Sequence, residues 1–122
     1  LSIFHTGKKV PTHSHLQESF RVPKALKDLT LQGKEALYKN EVKALGEIFC
    51  SIHRELRRAN LQAPHTCRAL DQLFASMPSP SLYGAKGCGA MGSDVIVVLH
   101  NQAPLEDWAK ENSLALIAEF SV

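Results

Sequence analysis

The stretch from Tyr83 to Leu99, reading Tyr-Gly-Ala-Lys-Gly-Cys-Gly-Ala-Met-Gly-Ser-Asp-Val-Ile-Val-Val-Leu, constrains the fold more than any other part of the chain. Four of the seven glycines, Gly84, Gly87, Gly89 and Gly92, fall within nine residues, and the β-branched run Val95 to Val98 follows at once. Glycine is costly to order, so such a cluster between apolar segments means that the backbone takes positive φ angles or lies close to something else. The run after it reads as a strand.

The rest of the chain reads as a frame for this segment. At 122 residues it is one domain, large enough to bury a core. A formal charge of +2 is too small for a nucleic-acid partner, and Arg54, Arg57 and Arg58 read as a solvated helix face. Three cysteines, Cys50, Cys67 and Cys88, with no Cys-x-x-Cys pair suggest neither a disulfide framework nor a zinc ribbon, and point to a reducing, cytoplasmic setting. No apolar run approaches the roughly 20 residues of a membrane span. The chain opens without an initiator Met on an apolar segment and reads as part of something longer.

In order, Leu1–Phe4 reads as a short strand, and Thr12 or Ser14 caps a helix reaching Phe20. A second helix spans Pro23 to Tyr38, with a break expected at Gly33. Asn40 reads as the N-cap of the clearest helix, Glu41 to Ala59, with Leu45, Ile48, Phe49, Ile52 and Leu56 on one face. Pro64 opens another, with Leu70, Leu73, Phe74 and Met77 as its stripe and Pro78-Ser79-Pro80 as its stop. The last third gives a strand at Leu82–Lys86, a tight glycine connection, a strand at Asp94–Leu99, a helix at Leu105–Asn112 and a strand at Leu114–Phe120. The expected fold is α+β: a ferredoxin-like antiparallel sheet with extra helices inserted after the first strand.

Known phosphate loops fit poorly. Gly87-x-Gly89-x-x-Gly92 matches the dinucleotide fingerprint, but that fingerprint needs a following helix, and strand formers follow here. A P-loop needs Lys and Ser or Thr where Ser93-Asp94 stands. What survives is a concavity of backbone N–H groups able to hold an anion, with Lys86 adding positive charge; the alternative is a hairpin turn without a ligand.

The run Gly84-Ala85-Lys86-Gly87-Cys88-Gly89-Ala90-Met91-Gly92-Ser93-Asp94-Val95-Ile96 resembles the third motif of the GHMP small-molecule kinases, and Thr6-Gly7 and Ala44-Leu45-Gly46-Glu47 are similar to two further family segments. The likeness covers nearly the whole chain, but only as the C-terminal half of a two-domain kinase. It implies a GHMP kinase C-terminal domain-like fold and, for the whole two-domain protein, an enzyme that transfers the γ-phosphoryl of ATP, with magnesium, to a small metabolite. The substrate or phosphate would meet Lys86, Gly87, Cys88, Gly89, Ala90, Met91, Gly92, Ser93 and Asp94, and Thr6 and Gly7 would border the acceptor pocket. Asp94 favours the mevalonate and phosphomevalonate branch, with sugar and amino-acid alcohols open. Cys88, Met91 and Ser93 depart from the family's usual Ser or Thr and glycines. The family's ATP loop and catalytic Asp and Lys belong to its N-terminal domain and are absent here. ATP and magnesium are therefore expected on that missing partner domain, and these 122 residues are expected to be inactive alone. The runner-up is a non-catalytic ferredoxin-like ligand-binding or regulatory module; a third reading is a homodimerisation domain using an open sheet edge.

No metal site is expected. His13-x-His15 lacks nearby acids or thiols, and Cys50 with His53, one helical turn apart, reads as packing rather than chemistry. Cys88 is the cysteine with an argument for reactivity, because loop N–H groups and Lys86 favour its thiolate. Trp108 reads as filler against the sheet, and Glu106, Asp107 and Glu111 as solvent-facing.

Overall fold

A computed structural model describes residues 1–8, 23–76 and 81–121. The expected helix from Thr12 or Ser14 to Phe20, the His13-x-His15 pair, Met77 and the Pro78-Ser79-Pro80 stop lie outside these residues. The described elements are β1 (Ser2–His5), α1 (Lys24–Tyr38), α2 (Val42–Arg58), α3 (Pro64–Ser76), β2 (Leu82–Cys88), β3 (Val95–His100), α4 (Glu106–Glu111) and β4 (Ala115–Glu119). The four strands form one sheet in the order β2-β3-β1-β4, antiparallel at every pairing. This α+β arrangement is compatible with a ferredoxin-like fold. Among the described residues, no helix is long and apolar enough to cross a membrane.

Alternation along the strands sends two sets of side chains to opposite faces. Phe4, Ala85, Ile96 and Val98 are buried on one face with Ala69, Leu70 and Leu73 of α3 and with Trp108 and Ala109 of α4. Trp108 fits there because its indole N–H donates to Ala69 O at 2.8 Å and its ring meets Phe4 edge-on, centroids 5.3 Å apart. A second cluster holds Leu99, Ala36 and Leu45, with Ile48, Phe49 and Tyr83 packed around it, so α1 and α2 supply a further apolar layer.

Several local expectations are corrected. Helix α1 runs unbroken through Gly33, where an added Cβ would stand 3.4 Å from Ile48 Cγ2. Asn40 ends α1 rather than capping α2: it takes φ 59°, and the next amide, Glu41 N–H, reaches back to Ala36 O at 2.9 Å. Asn60 and Ser113 close α2 and α4 in the same way, through Leu61 N–H to Leu56 O and Leu114 N–H to Ala109 O, both 2.8 Å. Phe74 is exposed instead of belonging to the α3 stripe, and Ile48, Phe49, Ile52 and Leu56 are only half-buried, whereas Leu45, Gly46 and His53 are the buried positions of α2. The arginine face is as expected: Arg57 pairs with Asp71 and Arg58 with Glu55, at 2.5 and 2.6 Å, all at the surface except the half-buried Glu55.

Candidate functional site

Strands β2 and β3 pair from Leu82 opposite His100 to Cys88 opposite Val95. Gly87 and Cys88 therefore extend the expected Leu82–Lys86 strand, and the connection proper is Gly89 to Asp94. Two hydrogen bonds close it: Gly92 N–H to Gly89 O at 2.9 Å and Asp94 N–H to Cys88 O at 3.0 Å. Between them lies a single 3₁₀ turn, Ala90–Gly92, with Gly89, Met91 and Gly92 at φ 92°, 53° and 62°. Met91 is the residue that pays for this geometry, since a left-handed conformation costs a non-glycine residue roughly 1–2 kcal/mol.

The carbonyl side of this loop is bound to the scaffold. Ala63 N–H donates to Met91 O at 2.7 Å and Thr66 Oγ1 to Gly92 O at 2.7 Å. Thr6, at the end of β1, donates its hydroxyl to Ser93 O and its N–H to Asp94 O. His65 Nε2 lies 3.1 Å from Ser93 O, and because a carbonyl only accepts, His65 carries its proton on that nitrogen. Ser93 itself is fully buried. Thr6 entered the sequence reading only through the resemblance, at the border of the acceptor pocket, and Ala63, His65 and Thr66 did not enter it. The one available sign was a hydroxyl on the otherwise apolar stripe Thr66, Ala69, Leu70, Leu73.

Each glycine of the cluster has a protein neighbour that explains it. A Cβ on Gly84 would lie 2.0 Å from Gly46 O, on Gly87 2.4 Å from Gly92 O, on Gly89 2.3 Å from Asp94 Oδ2 and on Gly92 2.5 Å from Gln62 Oε1. Gln62 is buried between α2 and the loop, its Nε2 2.7 Å from His53 Nδ1, and its Oε1 has no hydrogen-bond partner among the described residues. Burial holds the His53 imidazole below its ordinary pKa, with Arg57 and Arg54 adding to the shift and Asp71 opposing it.

The N–H groups of Gly92 and Asp94 are consumed inside the loop, whereas those of Gly89 and Met91 have no partner among the described residues. Lys86 and Cys88 share one side of β2; Lys86 Nζ lies 3.2 Å from Cys88 Sγ, 3.4 Å from Gly87 O and 5.7 Å from the centre of the Phe49 ring. No carboxylate pairs with Lys86 among the described residues. Nor does any group of three His, Cys, Asp or Glu there suit a metal ion.

A second feature occupies the opposite end of the sheet, where Ser2, Tyr83, His100, Asn101, Gln102 and Glu119 line a cleft of about 770 Å³. Ser2 Oγ lies 2.7 Å from His100 Nε2, which resembles a nucleophile and its base. The tautomer runs the other way: Ala103 N–H donates to His100 Nδ1 at 3.1 Å, so the neutral ring keeps its proton on Nε2 and donates to Ser2. His100 therefore orders the serine without activating it.

Neither a protein-family model nor a curated protein matches this sequence.

Proposed function

We propose that the chain is the C-terminal, substrate-side domain of a cytoplasmic, ATP-dependent small-molecule kinase, with the Gly89–Asp94 loop as one wall of the acceptor site. The observation that carries the reading is the loop itself. Its carbonyls are tied to Thr6, Ala63, His65 and Thr66, while among the described residues the Gly89 and Met91 N–H groups have no partner, beside a strand bearing Lys86. Donors fixed in advance of binding suit an anionic group, because nothing has to reorganise when it arrives. The GHMP resemblance and the strand order support the same reading. The adenine nucleotide, magnesium and the acid-base groups belong to the missing N-terminal domain, and the residues here bind and orient the acceptor. By the GHMP resemblance Asp94 favours a mevalonate-like acceptor, with a sugar alcohol group as the alternative.

Because the loop is closed by this chain's own hydrogen bonds, it also suits a non-catalytic module that simply holds a phosphorylated metabolite. One experiment tests the shared premise. Amide resonances of Gly87 to Ser93 are followed while inorganic phosphate, then a phosphorylated metabolite, is added. Saturable shifts centred on Gly89 and Met91 are expected, and their absence would overturn both readings. Phosphoryl transfer from ATP by these 122 residues alone would overturn the division of labour between the two domains.

A further inference from the structure

Lys86 and Cys88 are two positions apart on one strand, and the ladder to β3 fixes both backbones, Lys86 opposite Val97 and Cys88 opposite Val95. Alternation puts their side chains on the same side, and the amine nitrogen stands 3.2 Å from the sulfur. That separation is the near-attack distance at which two held groups react as if at very high concentration. Phe49 flanks the amine, its ring centre 5.7 Å from Nζ, and no carboxylate competes for the amine among the described residues. Both side chains are half-buried, leaving access for a molecule as small as hydrogen peroxide. Cys50 and Cys67 lack such a neighbour: no lysine nitrogen is hydrogen-bonded to either among the described residues, and burial pushes the Cys67 thiol up.

We propose that hydrogen peroxide converts the Lys86–Cys88 pair into a reversible sulfur–nitrogen crosslink. The Cys88 thiolate attacks one peroxide oxygen; the S–O bond forms, the O–O bond breaks, and the departing hydroxide takes up the thiol proton as water. The neutral Lys86 amine then attacks the sulfenic sulfur; the S–N bond forms, the S–O bond breaks, and the hydroxyl leaves as water with a proton from the amine. One thiol, one amine and one peroxide give one sulfenamide and two waters, sulfur losing the two electrons that peroxide gains. An added thiol attacks the sulfur, releases the Lys86 amine and, through a mixed disulfide, restores Cys88. The crosslink removes the basic amine of Lys86, yet its formation does not depend on whether the loop binds a ligand.

The test is mass spectrometry of the whole chain treated with hydrogen peroxide, beside a C50S/C67S double variant that keeps the pair. Both should lose two hydrogens in intact mass, resist trypsin after Lys86, and regain the original mass and cleavage with dithiothreitol. In Lys86→Arg, the same treatment should leave Cys88 as a sulfenic acid that dimedone captures. The proposal is overturned if Cys88 is consumed while trypsin still cleaves after Lys86. Equal dimedone capture in the parent chain and Lys86→Arg would overturn it too, as would a two-hydrogen loss that maps to a disulfide.

Discussion

His53 shows how one residue acquires properties its neighbours in sequence do not announce. Burial disfavours its charged form, and the Arg57 and Arg54 guanidinium groups add to that effect against the weaker pull of Asp71. The unfolded chain takes up this proton near pH 6.5, whereas the folded chain binds it only at lower pH. Stability is therefore insensitive to His53 above that value and falls as pH drops through it. Carbon-detected NMR titration should place the His53 imidazole below the free value while the melting temperature declines from pH 7 to pH 5.5; an imidazole titrating at or above 6.5 would contradict this. His100 shifts in the same direction through burial and the nearby N-terminal ammonium, so resolved resonances are needed to separate the two. From the sequence, His53 was readable as packing, because it borders an apolar stripe. Its partner Gln62 was not readable, since nothing local says that a polar side chain nine residues away will be folded beneath Gly92.

At the scale of elements, the glycine cluster divides into two jobs. Gly84 has no part in the loop: it and Gly46 let α2 and β2 touch backbone to backbone, where an added Cβ would come within 2.0 to 2.3 Å of a carbonyl oxygen. Gly46→Ala and Gly84→Ala should each destabilise the chain by about 3 kcal/mol, the upper end for overpacking, in urea unfolding. The double variant should cost less than the sum, because one displaced helix accommodates both methyl groups. Gly33→Ala, in the middle of α1 with a side chain 3.4 Å away, is the contrast and should gain up to about 1 kcal/mol. The sequence announced that the backbone at Gly84 needed room, and left open whether a ligand or a helix would take it. Asn40 was ambiguous for a related reason: its short amide suits a helix start and a left-handed helix end equally well. The elements themselves were legible because apolar periodicity is a local signal, strong in β3 and in α2.

Across the whole molecule, burial is uneven. Ile96 is fully enclosed in the central strand β3, whereas on the edge strand β4 Leu116 and Ile117 are 50% and 58% exposed. Ile96→Ala should cost about 2–5 kcal/mol, while Ile117→Lys should stay within about 0.5 kcal/mol by chemical denaturation. A large loss from Ile117→Lys would mean that β4 is covered in solution. Sheet class and strand count could be read from the chain, but this difference between strands could not. The apolar run of β4 looks like that of a core strand, and only the strand order reveals it as an edge.

That strand order has a kinetic side. Strand β1 lies between β3 and β4, so Ser2–His5 pair with Val95–Val98 and with residues of Ala115–Glu119, contacts that span nearly the length of the chain. Closing so large a loop costs entropy before any hydrogen bond repays it, and a native topology of high contact order folds slowly. The helical hairpins between them draw on local contacts and have no need to wait. On a ribosome, β1 would emerge well before both strands it pairs with and would have to wait for them.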